Sequence, residues 1–302
     1  MRSARWIATG LILPAIWAAG PPEDKFRVDA TMVVVNVSVT DTHDRPVAGL
    51  EQRQFRIFEN GSEQSIAFFS HEDSPVSIGL IFDTSGSMDG KLKQAREMVG
   101  RFCQSLNPED EMFLVTVRKT VGLAMNYTSN CGDIQGALMF SKAEGLTALL
   151  DAVPLALRHL KTAHNRRKAI LLISDGGDNA SRIHKGEIRR LVQEAGVPIY
   201  VAALARHTEV LPSLEEAQGP ALLRDVVMYS GGRYWEIDDS RKLADAAAMM
   251  ASEIHDQYVI GYRAPDTSRD GKYRKISVKV AREGPAPRLS VSFRSGYYAP
   301  AE

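Results

Sequence analysis

A short run of oxygen-bearing side chains follows one apolar segment of this sequence. Residues 78–82 read IGLIF, which predicts a strand buried on both faces. Asp83, Ser85 and Ser87 follow at alternate positions, and Gly86 lets the backbone turn tightly between the two serines. All three side chains can therefore direct oxygen atoms to one place. Oxygen ligands suit a hard divalent cation, and the carboxyl end of a parallel strand is where open α/β sheets usually bind ligands.

Two further segments carry oxygen atoms in a comparable setting. Thr147 lies in the sequence GLTALLDA at an expected helix start, where threonine is also a common N-cap. Asp175 follows the apolar segment KAILLIS, again at an expected strand end. A parallel sheet brings these loops to one edge. Each residue taken alone also has an ordinary role as a turn residue or a helix cap, so it is their combination that predicts a metal site.

The hydrophobic pattern indicates the elements that would position these loops. From about residue 74 to 256, apolar strands alternate with helices, which predicts an α/β domain with a doubly wound, mainly parallel, Rossmann-like sheet. Residues 24–73 and 257–302 read instead as strands and turns, with Asn60-Gly61 as a hairpin signal. Neither segment alone would make a stable sheet, so we expect them to pair into a small β-sandwich.

Two of the expected helices are affected by proline or glycine. One helix should follow Thr147, with Pro154 kinking it or restricting its first turns. Another is expected over roughly residues 221–230, ending at Gly231-Gly232.

The first twenty residues have the pattern of a targeting segment. Arg2 and Arg5 precede an apolar stretch over residues 6–19, and small residues follow up to Gly20. This order is typical of a secretory signal peptide, so we predict a signal peptide over residues 1–20 and an exported chain, periplasmic or secreted. An uncleaved anchor is the alternative, although about 14 apolar residues is short for a membrane span of roughly 20. No membrane span is expected in the mature chain.

Composition and cysteine usage set limits on the function. The 302 residues are 44% hydrophobic and 25% charged, and 37 basic residues balance 37 acidic ones. This is the composition of an ordinary globular protein, and without a strongly basic segment no nucleic-acid partner is expected. Cys103 and Cys131 leave two alternatives open. Export would permit a disulfide; otherwise one is a buried thiol on a helix and the other an unrelated thiol in a loop.

As a set, these segments resemble the von Willebrand factor type A domain. The similarity rests on DTSGS at 83–87, on the G-x-T-x-L-x-D-A context of Thr147 and on SDG at 174–176, and it spans roughly residues 74–256. The flanking segments, such as VVVNVSVTD before this region and YVIGY after it, are similar to exported bacterial proteins grouped as VWFA-related.

The resemblance implies a metal-ion-dependent adhesion site. In that family, hydroxyl oxygens bind Mg²⁺ or Mn²⁺, and two acids act directly or through water. The residues at the matching positions are Ser85, Ser87 and Thr147 for the hydroxyls and Asp83 and Asp175 for the acids. An Asp or Glu carboxylate of a partner protein would then replace one metal-bound water. Leu146, where the family often has a second glycine, and Pro154 depart from the pattern without removing a ligand.

Other functions are weaker matches to the same residues. The sequence DTSG at 83–86 is similar to the D-T-G turn of aspartic proteases, but Ser85 interrupts it and no second copy supplies a carboxylate pair. Haloacid-dehalogenase phosphatases carry the motif D-x-D-x-T after their first strand. In this sequence Ser85 stands at the position of the second acid of that motif. No G-x-S-x-G, G-x-G-x-x-G, Walker or H-E-x-x-H motif is present. We therefore predict a non-enzymatic, metal-dependent protein-binding module. A structural module with a vestigial site and a Mg²⁺-dependent hydrolase are the alternatives.

Overall fold

The computed structural model describes residues 32–71, 74–205, 214–281 and 288–301. The signal peptide predicted over residues 1–20 lies outside the described residues, as does the beginning of the predicted N-terminal β region. Within the described ranges, no helix is both long enough and apolar enough to span a membrane.

Strands and helices alternate along the middle of the described chain, and mainly strands occupy the described segments on either side of it. In chain order the strands are β1 (Met32–Thr40), β2 (Phe55–Glu59), β3 (Ser62–Gln64), β4 (Ile66–Ser70), β5 (Val76–Asp83), β6 (Glu111–Val117), β7 (Val121–Thr128), β8 (Arg167–Ser174), β9 (Ile199–Leu204), β10 (Tyr234–Ile237), β11 (Tyr258–Arg263), β12 (Tyr273–Val280), β13 (Ser290–Phe293) and β14 (Gly296–Tyr298). The helices are α1 (Leu92–Gln104), α2 (Cys131–Met139), α3 (Leu149–His159), α4 (Lys185–Ala195), α5 (Leu214–Ser230) and α6 (Leu243–His255).

The central sheet has the order β10-β9-β8-β5-β6-β7. Neighbouring strands are parallel, apart from the antiparallel pair β6 and β7. Strands β5 and β8 lie side by side, and β5 is buried along its whole length. A parallel strand with both faces covered needs apolar side chains throughout, which the sequences VSIGLIF and KAILLIS provide.

Helices cover both faces of this sheet. Helices α1, α2 and α6 pack on the face to which Ile78 and Leu80 of β5 point. Helices α3, α4 and α5 pack on the opposite face, where Ile81 of β5 lies. The predicted doubly wound α/β fold class is therefore confirmed.

The strands at the two ends of the chain form two antiparallel sheets around one core. Their orders are β13-β1-β11-β4 and β14-β12-β2-β3. Val35 of β1, Ile57 of β2 and Tyr258 of β11 are fully buried in the same apolar cluster. Asn60 and Gly61 join β2 to β3 with φ of 49° and 86°, as a two-residue hairpin of the primed type requires. The predicted β-sandwich is therefore confirmed.

Two helices differ from what the sequence pattern predicts. The pattern gives no helix over residues 131–139, yet α2 forms there, and the side chain of Asn130 caps it by accepting a hydrogen bond from the N–H of Gly132. Helix α5 begins at Leu214 instead of near residue 221, because it continues through Pro220. Helix α3 also continues through Pro154. A proline removes one backbone hydrogen bond, and in both helices the buried apolar residues that follow outweigh that loss.

The two cysteines lie beside each other as free thiols. Burial, together with the neighbouring thiol of Cys131, raises the pKa of Cys103. Cys103 lies near the end of α1 and Cys131 is the first residue of α2. Cys131 is thus neither in a loop nor remote from Cys103.

A buried acid links the sandwich side of the molecule to the α/β side. The guanidinium of Arg233 contacts Glu253 of α6 at 3.1 Å, and it also pairs with Asp44 in the turn that follows β1. Burial raises the pKa of Glu253 to about 7, although Arg233 acts in the opposite direction. The loss of hydration therefore outweighs the attraction to the guanidinium.

We expect Glu253→Gln to change how stability depends on pH. A carboxyl whose folded pKa is raised from 4.5 to about 7 contributes stability that is complete below pH 4.5 and is lost as the pH rises through 7. Glutamine cannot ionise, so the variant should exceed the natural chain in unfolding free energy by about 3 kcal/mol at pH 8, with almost no difference near pH 4.

Urea denaturation at the two pH values measures this difference. Glu236→Gln, which changes a half-exposed acid paired with Arg224, is the control and should leave the pH dependence unchanged. The same pH dependence in Glu253→Gln and in the natural chain would contradict the prediction.

Candidate functional site

Asp83 lies at the bottom of the predicted site, as the last residue of β5, and its side chain is fully buried. Its Oδ1 accepts a hydrogen bond from the N–H of Ser85 at 2.8 Å, and its Oδ2 accepts one from Ser174 Oγ at 2.6 Å. Burial raises the pKa of Asp83 to about 6, against the lowering effect of these hydrogen bonds. The two bonds join the ends of the adjacent strands β5 and β8.

Ser85 and Ser87 extend this hydrogen-bonded cluster toward the surface. A single turn of 3₁₀ helix over Gly86–Met88 places the two hydroxyl oxygens 3.1 Å apart. Ser87 Oγ then donates to Asp175 Oδ1 at 3.1 Å. The alternate spacing of the residues in the sequence therefore does bring their oxygen atoms together.

Thr147 is held by its backbone rather than used as a helix cap. Helix α3 has Ala148 at its N-cap position. The N–H of Thr147 donates to Asn179 Oδ1 at 2.8 Å, and its carbonyl accepts from the N–H groups of Asn179 and Ala180 at 3.0 Å each. The loop that follows β8 therefore fixes Thr147 and leaves its hydroxyl available for another role.

Oxygen atoms from three loops surround one point next to Gly177. A Cβ placed on Gly177 would lie 3.7 Å from Ser87 Oγ, 3.7 Å from Asp175 Oδ1 and 3.8 Å from Thr147 Oγ1. The glycine leaves this small space free. The structure thus brings Ser87, Thr147 and Asp175 together, with Ser85 against Ser87 and Asp83 beneath them.

Main-chain hydrogen bonds join two of the loops at the rim of the site. The N–H of Gly86 donates to the carbonyl of Gly145 at 3.0 Å, and the N–H of Glu144 donates to the carbonyl of Thr84 at 3.1 Å. Arg118 reaches the same rim, where it bonds Thr84 Oγ1 and Glu144 Oε1 at 3.2 and 2.6 Å. Leu146, one of the departures from the family pattern, is 45% exposed on this loop.

The donor set consists of hydroxyl groups and two carboxylates. Over the described ranges, three or more His, Cys, Asp or Glu side chains do not group in a way that could hold a metal ion. The hydroxyl and carboxylate oxygen atoms that are present are ligands of the type that suits a hard divalent cation better than a metal that prefers nitrogen or sulfur ligands.

Sequence reasoning missed two residues of the site. Lys91 places its ammonium 2.5 Å from Asp175 Oδ2, where both side chains are nearly buried. Asn179 positions Thr147, as described above. In the sequence both look like solvated polar residues of a loop, because neither belongs to the spaced pattern of hydroxyls and acids.

The loop that carries Asp175 packs closely against α5. A Cβ on Gly219 would lie 2.5 Å from both the carbonyl carbon and the oxygen of Gly176, and Gly176 has a φ of 93°. Only a residue without a side chain fits at position 219.

The fold and the site together define an α/β protein with a cluster of hydroxyl and carboxylate groups at the carboxyl edge of a parallel sheet. Residues 78–177 match the family model described as the von Willebrand factor type A domain. This stretch runs from β5 to the loop after β8 and contains all five predicted ligands. The chain therefore carries a von Willebrand factor type A domain, as the sequence motifs indicate.

Two known proteins are similar to part of this chain at low sequence identity. An uncharacterized protein of Borreliella burgdorferi is 22% identical over 192 residues, which cover 56% of each protein. The inter-alpha-trypsin inhibitor heavy chain H4 of Bos taurus is 26% identical over 172 residues, 50% of this chain and 18% of the bovine protein. The chain thus spans about half the length of the first relative and less than a fifth of the second.

A solved structure shows the same fold. The von Willebrand factor type A structure from Catenulispora acidiphila aligns with 91% of this chain and 75% of its own, at a TM-score of 0.52 and 14% identity. At this identity the likeness concerns the fold alone.

We expect Gly219→Ala to destabilise the protein by separating α5 from the Asp175 loop. Overpacking of this kind costs about 1–3 kcal/mol, which exceeds the gain of up to about 1 kcal/mol from the helix propensity of alanine. The control is Gly136→Ala in α2, where a new Cβ meets no atom within 4 Å. Thermal unfolding should show a lower midpoint for the first variant and an equal or higher one for the second. Equal midpoints for Gly219→Ala and the natural chain would argue against the close packing.

Proposed function

We propose that this chain is an exported protein-binding module whose oxygen cluster holds Mg²⁺ or Mn²⁺ and, through it, a carboxylate of a partner protein. The observation that carries the proposal is the convergence of Ser87, Thr147 and Asp175 on the space beside Gly177. Side chains from three separate loops would not need to meet there for folding alone.

The residues present fit a hard divalent cation. The hydroxyls of Ser85, Ser87 and Thr147 are neutral ligands, and Asp83 and Asp175 are the two acids of the cluster. A cation held mainly by neutral oxygen atoms keeps part of its positive charge, and Mg²⁺ retains waters at its free positions. A carboxylate from another protein can replace such a water, which makes the site suitable for recognition.

Binding is favoured over catalysis by the chemistry of the same residues. Ser85 stands where a Mg²⁺-dependent phosphatase of the haloacid-dehalogenase type would need its second acid. The von Willebrand factor type A domain points in the same direction. A hydrolase would need a further acid or base beside the cation, and the second carboxylate, Asp175, is already paired with Lys91.

Export is proposed from the pattern of the first twenty residues. A module placed outside the cytoplasm meets Mg²⁺ and foreign protein surfaces together, which agrees with a role in adhesion or assembly at the cell envelope.

Titration with Mn²⁺ followed by calorimetry tests the metal site. We expect the natural chain to bind one ion, and Thr147→Ala and Gly177→Ala to weaken binding by roughly tenfold or more, since each changes the cluster directly. A methyl on Gly177 would meet its neighbours at 3.7 Å or more, so that variant should still fold. Gly136→Ala is the matched control and should bind as the natural chain does. If the natural chain binds neither Mn²⁺ nor Mg²⁺, the site is vestigial and the proposal fails.

A pull-down from the envelope fraction of the source cells tests the partner. We expect the natural chain to retain a protein in Mg²⁺ and to release it when a chelator is added, while Thr147→Ala retains none. Blocking of partner carboxylates with a carbodiimide should abolish retention. Binding that persists in chelator would count against recognition through a metal.

A further inference from the structure

Lys91 lies beside the candidate metal site and engages one of its carboxylates. Its ammonium donates to Asp175 Oδ2 at 2.5 Å, and the two side chains are only 11% and 4% exposed. The other oxygen of this carboxylate, Asp175 Oδ1, accepts from Ser87 Oγ at 3.1 Å. Asp175 therefore divides its two oxygen atoms between the hydroxyl cluster and a fixed positive charge.

The backbone of Lys91 is hydrogen-bonded to the segment that also carries the serines. The N–H of Met88 donates to the carbonyl of Ser85, the N–H of Lys91 to the carbonyl of Met88, and the N–H of Ala95 to the carbonyl of Lys91. This series of bonds runs from the cluster into the first turn of α1. The backbone at Lys91 is thus continuous with the serine turn, and loss of its ammonium would leave a nearly buried carboxylate without that cation.

The charge balance of the site depends on this lysine. Asp83 and Asp175 belong to one hydrogen-bonded cluster, in which the N–H of Ser85 donates to Asp83, the hydroxyls of Ser85 and Ser87 are in contact, and Ser87 donates to Asp175. By formal charge, Asp83, Asp175 and Lys91 together present one net negative charge to a cation, whereas the two acids alone would present two. With a divalent cation bound, the cation, the two carboxylates and Lys91 together carry one net positive charge. Without Lys91, the cation and the two carboxylates would carry no net charge.

We propose that Lys91 is a built-in counter-ion that weakens the binding of the divalent cation and keeps the loaded site positively charged toward an acidic partner. The inference rests on the proposed function, because it concerns the same metal site. Lys91 is a positioning residue that acts through Asp175. Charges a few ångströms apart at a protein edge change affinities by about tenfold or more, so removal of the ammonium should strengthen Mn²⁺ binding by that factor.

The experiment measures Mn²⁺ affinity and thermal stability in the full chain. Lys91→Met removes the charge and keeps an unbranched apolar side chain. Lys91→Gln keeps a hydrogen-bond donor for Asp175 and guards against a failure of the first variant to fold. We expect both to bind Mn²⁺ about tenfold more tightly, to melt at a lower temperature without metal and to gain more stability from Mn²⁺ than the natural chain does.

Two further variants separate the local charge from other effects. Lys91→Arg retains the positive charge and should restore an affinity near that of the natural chain. Lys93→Met removes an equal charge from an exposed position in the first turn of α1 and should change the affinity by less than about twofold, because water screens it.

Each outcome bears on the two proposals differently. If the natural chain binds Mn²⁺ and the Met and Gln variants bind it equally or more weakly, the role of Lys91 is overturned and the metal site stands. If none of the proteins binds Mn²⁺, both proposals are overturned. If only the Met and Gln variants bind it, Lys91 suppresses the site, which supports its role and overturns metal binding by the natural chain.

Discussion

The burial of the Asp83 carboxyl at the end of β5 constrains the whole carboxyl edge of the sheet. A carboxyl without exposed surface needs hydrogen-bond donors, and its two donors come from different elements, the backbone of its own loop at Ser85 and the hydroxyl of Ser174 at the end of β8. These bonds fix the serine turn relative to the loop that carries Asp175. That loop in turn holds Thr147 through Asn179. The positions of the oxygen atoms in the cluster therefore depend on the hydrogen bonds of the buried Asp83 carboxyl.

The candidate ligands could be predicted from sequence because their chemistry is local. Asp83, Ser85 and Ser87 follow a recognisable buried strand, and a parallel sheet leaves few places for the loop that bears Asp175. The strand pattern of the two chain ends also predicted the sandwich, since neither end can bury its apolar face without the other. In each case a short stretch of sequence contained the physical reason for the structure.

The features that escaped prediction depend on contacts between distant segments. Helix α2 contains Gly132 and Gly136, which lower its intrinsic helix propensity, and it buries only Ile134 and Leu138. The packing of α2 against α1 supplies the stabilisation that its low helix propensity does not provide. Lys91 could not be assigned for a similar reason. Its partner lies 84 positions away in the sequence, and only the folded sheet brings the ammonium and the carboxylate together.

The topology of the sandwich has a consequence for how the chain is made. β1, near the beginning of the described chain, pairs with β11 and β13, which follow the whole central sheet in the sequence. Every strand of the central sheet leaves the ribosome before them, so that sheet can form while β1 still lacks both neighbours. Until β11 and β13 have been made, β1 is a valine-rich strand with open edges, a surface prone to aggregation. A chain that stops before β11 keeps both edges of β1 uncovered, so closure of the sandwich depends on strands that follow the α/β region in the sequence.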